Sequence, residues 1–288
     1  MAIKEGLLIK VIAGFYYVET GNSLFTCKAK GSLKNDNLTP VAGDRVMINT
    51  EKSTLDKVLF RKNLLKRPPV SNIDKLFIIT SFSDPAPNLT NIDRMTAIAE
   101  HNKIMPIIVF NKSDLSSDET ISKIYSDAGY TTIVTSAFNN DCKEKILPHL
   151  KNAISVFTGN SGVGKSSILN KIFDSNDFKT NEISKKLGRG RHTTRHTELF
   201  KISGGYVADT PGFSSLNAEL ISNIKPKDLA YCFKEFSPYL GNCRFSDCSH
   251  TCEVGCDIIN AVNNGKISIS RFNSYKQFYN ELVALKEW

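Results

Sequence analysis

Gly159-Asn160-Ser161-Gly162-Val163-Gly164-Lys165-Ser166 spells G-x-x-x-x-G-K-S. Apolar Ile154-Ser155-Val156-Phe157 runs into it as a buried strand, and Ser167-Ile168-Leu169-Asn170-Lys171-Ile172-Phe173 leaves it with helical spacing. That is the context in which these letters form a phosphate-binding loop. Gly159 and Gly164 let the backbone turn where a Cβ would clash. Successive N–H groups from Gly159 through Asn160, Ser161, Gly162, Val163 and Gly164 to Ser167 at the helix N-terminus are then expected to face the phosphates. Lys165 reaches the β- and γ-phosphates, and the Ser166 hydroxyl holds Mg²⁺.

From Lys75 the pattern alternates strand and helix: Leu76–Thr80, Asn91–Asn102, Pro106–Phe110, Ser117–Tyr130, Thr132–Thr135 and Cys142–Asn152. Alternation of this kind predicts a mostly parallel sheet, with ligands at the carboxyl ends of its strands. After Pro106–Phe110 comes Asn111-Lys112-Ser113-Asp114, an N-K-x-D box. A carboxylate at Asp114 accepts from the ring N–H and exocyclic amine of guanine, a donor pair that adenine lacks. Asn111 bridges the base and neighbouring loops, and the Lys112 stem lies along the base face. Thr135-Ser136-Ala137 follows the next strand and offers backbone N–H groups to the guanine carbonyl. Each short box alone is a common turn; their joint placement gives them weight.

Past the phosphate loop lies a basic, glycine-punctuated stretch, Lys185 to His196, in which Thr193 and Thr194 are both candidates to complete the Mg²⁺ shell. Strand Tyr206-Val207-Ala208 then delivers Asp209-Thr210-Pro211-Gly212, a D-x-x-G box. Asp209 is expected to bind Mg²⁺ through water, and the Gly212 N–H to sense the γ-phosphate. Phe213 follows, where Ras-like GTPases carry the glutamine that orients the attacking water. Intrinsic hydrolysis is therefore expected to be slow, and no residue of the chain is named as catalytic base. The motif order is also unusual: N-K-x-D and S-A precede the phosphate loop instead of following D-x-x-G. The cyclic order is kept and the starting point has moved, which is a circular permutation.

The chain has 288 residues, long enough for two or three domains, and a net charge of +8. No apolar run approaches a membrane span and no convincing signal peptide opens the sequence, so a cytoplasmic protein without a membrane role is expected. Residues 1–66 carry 11 Lys/Arg against 6 Asp/Glu, while residues 218–288 carry 8 against 8. A basic module beside a nucleotide-binding domain points to a polyanionic partner, nucleic acid before membrane.

That basic module, residues 1–66, reads as short strands separated by turns, a small barrel of the OB type. Lys28, Lys30, Lys34 and Arg45 are its candidate RNA contacts, with Phe15, Tyr16, Tyr17 and Phe25 as candidate stacking surfaces. The segment Arg61 to Pro69 reads as an extended linker in which Arg61 and Lys62 are further RNA candidates. At the other end, Cys243, Cys248, His250 and Cys256 offer three thiolates and an imidazole at spacings that suit one closed, structural Zn²⁺ site, with Cys252 as a spare thiol. Helices around Lys225–Phe236 and Arg271–Glu287 are expected to pack about this site, which staples a small piece.

Taken together these residues resemble one family, the circularly permuted, ribosome small-subunit-dependent GTPases of bacteria. The resemblance spans the chain: Gly43-Asp44-Arg45-Val46, Arg61 to Pro68 running into Asn72-Ile73-Asp74, the permuted motifs, Arg191-His192-Thr193-Thr194-Arg195-His196 and the C-x4-C-x-H-x5-C pattern. It implies an OB-fold that contacts 16S rRNA, and a weak GTPase stimulated by the small subunit and acting late in its assembly. The expectation is a multidomain chain: an OB-fold β-barrel RNA-binding domain at 1–66, an α/β P-loop GTPase domain, circularly permuted, at 67–217, and a mainly α zinc-binding domain at 218–288. A monomer is expected, binding GTP and GDP. The alternatives are a GTP-binding RNA protein without turnover, and a P-loop kinase or ATPase.

Overall fold

The computed structural model describes residues 2–34, 38–66, 69–116, 119–139, 141–173, 197–209 and 223–285. By internal contacts the chain forms two compact units, 1–75 with 140–157 and 165–213, and 76–139 with 158–164 and 214–288.

In the first unit, Ala13 and Gly14 both take positive φ, the geometry of a tight hairpin turn, and join β1 (Ile3–Ile12) to β2 (Phe15–Thr20). With β3 (Ser23–Ala29), β4 (Arg45–Asn49) and β5 (Thr54–Val58) these strands pair in the order β1-β2-β3-β5-β4, and β4 returns to pair with β1. The sheet thus closes on itself and has no free edge. Leu8, Val18, Cys27, Val46, Ile48 and Leu55 fill its interior, and Leu33, on a 3-10 turn at Gly31–Lys34, packs into the same cluster.

The segment Arg61 to Pro69 differs from the extended linker expected. β6 (Leu64–Lys66) pairs antiparallel with β7 (Pro69–Ser71), and Leu65 and Val70 are buried. The cause is Asp44, which is fully buried. Its carboxylate accepts from Arg61 Nε at 2.6 Å, Arg61 Nη2 at 2.7 Å, Ser71 Oγ at 2.6 Å and the Val41 N–H at 2.8 Å. A buried carboxylate needs such partners, and supplying them folds the segment back. Gly43 makes room for this: a Cβ there would lie 2.1 Å from Ser71 O.

The same unit holds α3 (Asp141–Leu150), the Ile154–Phe157 part of β11 (Ile154–Gly159), α4 (Lys165–Phe173) and the hairpin β12 (Glu198–Ile202) and β13 (Gly205–Asp209). β13 lies parallel to β11 and antiparallel to β12, and β12 pairs with β1 at Lys10↔Glu198.

The second unit carries β8 (Lys75–Ser81), β9 (Met105–Asn111) and β10 (Thr131–Val134) in the order β10-β9-β8, with α1 (Leu89–His101) and α2 (Thr120–Asp127) between them in sequence. Its C-terminal segment contains α5 (Asp257–Asn263) and α6 (Ile269–Ala284). Where the sequence predicts one helix around Lys225–Phe236 there are three short 3-10 turns, Pro226–Asp228, Ala230–Cys232 and Lys234–Tyr239. Phe233, at φ −109° and ψ 100°, leaves the helical region, and its ring stacks on Phe236 and meets Tyr275 edge-on. Ring packing prevails over helical continuity there.

One cation ties this segment to α1. Arg271 is fully buried; it donates to Asp93 Oδ1 at 2.8 Å, Thr96 Oγ1 at 3.1 Å and both Glu235 oxygens at 2.7 and 3.0 Å. Its guanidinium also lies 4.8 Å from the Phe233 ring centroid. Removing the charge leaves two carboxylates without their cation, so Arg271→Met is expected to cost about 3–5 kcal/mol in urea unfolding. A loss below about 1 kcal/mol would show that the pair is not what holds the segment.

Candidate functional site

The side chain of Asn111, at the end of β9, is 1% exposed and ties two loops together. Its Nδ2 donates to Val163 O at 2.8 Å in the phosphate loop, and its Oδ1 accepts from the Ala137 N–H at 3.0 Å in the S-A box. The Ser113 N–H meets Thr135 O at 3.2 Å, which holds the N-K-x-D turn against the end of β10. Lys112 takes φ 61°, and its ammonium donates to Asp84 O at 2.5 Å. Asp114 is exposed and Ser136 buried, its hydroxyl accepting from the Phe138 N–H at 3.2 Å.

Within the phosphate loop, Gly159 and Gly164 are required by space. A Cβ on Gly159 would lie 2.3 Å from Ile79 O, and one on Gly164, at φ 87°, would lie 2.2 Å from Asn111 Nδ2. Val163 is buried beneath the loop, while Asn160, Ser161 and Gly162 face outward. α4 begins at Lys165, so Lys165, Ser166 and Ser167 form its first turn. The first turn of a helix points its backbone N–H groups out of the N-terminus, the feature that attracts anions.

Asp209 closes β13 in the first unit. Thr193, Thr194, Gly212 and Phe213 lie outside the described residues. On the barrel, Lys28, Lys30 and Arg45 are exposed, with the Lys28 ammonium 5.3 Å from the Phe15 ring centroid. Lys34 closes a 3-10 turn and its side chain is not described. Arg61 is committed to Asp44 as above, and the Lys62 ammonium donates to Asp74.

In the C-terminal segment Cys243, Cys248, His250 and Cys256 bring one ligand atom each to within 4.8 Å of one another. Cys243 Sγ stands 3.4 Å from His250 Nδ1 and 3.8 Å from Cys256 Sγ, and Cys256 Sγ stands 3.5 Å from His250 Nδ1. Burial foremost pushes the Cys248 thiol up to about 12 and raises Cys256, while it lowers His250. Without a cation these groups are neutral, so a metal ion would displace thiol protons as it binds. Three soft donors and an imidazole in mutual reach can hold one metal ion.

Sequence reading missed what shapes this loop. Glu253 accepts from the N–H groups of Ser249 at 2.7 Å, Thr251 at 3.0 Å and Cys252 at 3.1 Å, and from the Ser249 hydroxyl. Burial alone would raise its pKa; the hydrogen bonds outweigh that and hold it at about 2. The Tyr275 hydroxyl donates to Ser249 O at 2.7 Å, anchoring the loop to α6. The available signal was an acid lying inside a run of thiols.

Comparison with known proteins agrees with this geometry. The RsgA GTPase family profile matches residues 58–219, and the RsgA N-terminal domain profile matches residues 5–55. The chain belongs to the RsgA GTPase family. As a member of it the chain is a GTPase, with an N-terminal barrel and permuted motifs. It is 39% identical over 291 residues to the "Small ribosomal subunit biogenesis GTPase RsgA" of Shouchella clausii, covering 98% of each chain. Two solved structures are similar: YloQ, described as a circularly permuted GTPase, with TM-score 0.83, 31% identity and coverage of 98% of this chain and 96% of that one. The second is YjeQ from Thermotoga maritima, with TM-score 0.81, 32% identity and coverage of 98% and 99%.

The Gly164–Asn111 contact gives a direct test. Gly164→Ala would displace the Asn111 amide and cost the Val163 hydrogen bond, about 1.4 kcal/mol, or tenfold in affinity for a fluorescent GDP analogue. Unchanged affinity in a folded variant would show that this contact does not shape the loop.

Proposed function

We propose that this GTPase is a guanine-nucleotide switch that binds the small ribosomal subunit through its 16S rRNA and acts in late maturation of that subunit. GTP favours the bound state and hydrolysis releases it. The observation that carries the nucleotide part is the Asn111 amide, which joins the N-K-x-D turn, the phosphate loop and the S-A box through two hydrogen bonds. Relatives that align over 98% of the chain and are named as small ribosomal subunit biogenesis GTPases support the ribosomal part.

In this reading Asp114 selects guanine, Asn111 and Lys112 frame the base, and the Ser136 and Ala137 backbone meets its carbonyl. The N–H groups from Gly159 to Ser167 and the Lys165 ammonium take the phosphates. Bound with the nucleotide, Mg²⁺ would neutralise phosphate charge; Ser166, Asp209 and one of Thr193 or Thr194 would hold it. With Phe213 at the usual glutamine position, alignment of water comes from the ribosome-bound state, and Gly212 senses the γ-phosphate. Lys28, Lys30, Lys34 and Arg45 supply phosphate contacts on the barrel, joined by Arg61 and Lys62 only where RNA outcompetes their carboxylates.

The metal is zinc and its role structural. A tetrahedral zinc ion with Zn–S near 2.3 Å and Zn–N near 2.0 Å sets sulfur–sulfur edges of about 3.8 Å and sulfur–nitrogen edges of about 3.5 Å. The 3.8, 3.4 and 3.5 Å edges among Cys243, Cys256 and His250 fit that frame, and the Cys248 thiol lies within 4.8 Å of the other three ligand atoms. Four protein ligands leave no position for water. We further propose functional domains at 1–66, 67–217 and 218–288, a monomer, and a cytoplasmic location; among the described residues no helix is long and apolar enough to cross a membrane.

GTP hydrolysis with and without isolated small ribosomal subunits tests the reading, with Lys165→Ala as the inactive control. Stimulation of about tenfold or more is expected; equal rates would leave a GTP-binding protein with another partner. GTP and GDP, but not ATP, should displace a labelled guanine nucleotide. Metal analysis should find about one zinc per chain, lost in Cys256→Ser, and chelation should lower the melting temperature. A chain purified without zinc that melts as before would refute the structural role.

A further inference from the structure

One backbone rung crosses four strands of the first unit. Tyr17 on β2 pairs with Lys10 on β1, Lys10 with Glu198 on β12, and Glu198 with Asp209 on β13. Its left end lies on the outer face of the barrel, where Phe15 pairs with Lys28 and Tyr17 with Thr26. Its right end is the first residue of the D-x-x-G box. Lys10↔Glu198 is the register pair of the β1–β12 ladder among the described residues, and a salt bridge of 3.0 Å reinforces it. Both side chains are about four-fifths buried, at 21% and 22% exposure, so water screens the pair less than an open surface pair.

Two details make Lys10 more than a brace. The β1–β2 register slips between Leu8 and Lys10, a bulge of the kind that re-aims a side chain. The Lys10 ammonium also stands 5.9 Å from the Tyr17 ring centroid, on the face that carries the exposed Lys28. The ammonium therefore serves two environments at once, the barrel face and the hairpin. A second tie runs parallel to it: Glu19 on β2 accepts from Lys201 at 2.5 Å on β12 and from the Tyr206 hydroxyl at 2.9 Å on β13.

We propose that the Lys10–Glu198 pair is a positioning contact for GTP hydrolysis that reports RNA on the barrel to Asp209. A phosphate oxygen arriving beside Tyr17 and Lys28 competes with the Glu198 carboxylate for the Lys10 ammonium. Once that ion pair opens, the β1–β12 rung loses its charge contact and the β12–β13 hairpin is free to change the backbone position of Asp209. This rests on the reading of the barrel as the RNA-binding face. It assigns Lys10 and Glu198 a role in restraining turnover until RNA arrives, and no contact with the reacting groups.

The test measures hydrolysis at saturating small subunits, basal hydrolysis, GDP affinity and melting temperature in the full chain. Glu198→Gln opens the pair without RNA, so it should keep GDP affinity, raise basal hydrolysis and lose about fivefold or more of the stimulation ratio. The reversed pair, Lys10→Glu with Glu198→Lys, separates coupling from mere bracing. It restores an ion pair and the melting temperature, but a glutamate at position 10 offers nothing to a phosphate, so stimulation should stay low. Stimulation that returns together with stability would show a structural brace and overturn the proposal. So would a Glu198→Gln variant stimulated like the wild type. Wild-type protein indifferent to subunits would refute the ribosomal reading itself, and this coupling with it.

Discussion

The buried side-chain amide of Asn111 is the joint on which the nucleotide-facing loops of the second unit depend. Its two hydrogen bonds run in opposite directions, one donated to Val163 O and one accepted from the Ala137 N–H. An aspartate would lose the donor and a leucine would lose both bonds, leaving buried backbone groups unpaired at about 1–3 kcal/mol each. Gly164 belongs to the same constraint, since Asn111 Nδ2 stands where its Cβ would be. Two motifs that look independent in sequence are thus one packing decision. Circular permutation leaves that decision intact, because hydrogen bonds depend on where loops meet and not on the order in which the chain visits them.

The C-terminal segment obeys a different constraint. Its 3-10 turns and two helices pack through buried rings of Phe233, Phe236, Tyr275 and Phe278 and through a few charged contacts. Arg271 sits among Asp93, Glu235 and the Phe233 ring, and Arg94 pairs with Glu281 on α6 at 2.8 and 3.0 Å. The metal-binding loop is anchored to the same helix by Tyr275. Glu253 fixes the loop's own shape by gathering its backbone N–H groups, which lets His250 hold φ 59° without Gly. Glu253 and Tyr275 hold the loop through its backbone, and the metal ion proposed for the cluster would hold it through its side chains.

The features legible in the sequence are those written in adjacent letters. A phosphate loop, an N-K-x-D turn and a thiol cluster each draw their chemistry from local backbone and short spacing, and the barrel strands from alternation and turn residues. What was not legible depends on residues that meet only after folding. The Asp44 carboxylate turns an expected linker into a hairpin by capturing Arg61 and Ser71. Arg271, 178 residues from Asp93, gives no sign in its neighbours that it is buried. Glu253 gathers backbone N–H groups that only the folded loop brings together. Ring stacking around Phe233 stands where the helix expected around Lys225–Phe236 breaks into 3-10 turns.

Magnitudes decide how the barrel can influence hydrolysis. A partly exposed ion pair contributes at most about 1 kcal/mol, whereas couplings between distant sites run at about 1–3 kcal/mol. Lys10–Glu198 alone falls at the low edge of that range. The Glu19 bonds from Lys201 and Tyr206 act on the same hairpin, so charged and polar contacts beyond the Lys10–Glu198 pair join the barrel to β12 and β13. Weak individual bonds suit this purpose: RNA phosphates exchange for a carboxylate on the one-fifth exposed Lys10 side chain more readily than they displace Arg61 from the fully buried Asp44. The strong ion pair builds the fold, and the weak one is left where a partner can reach it.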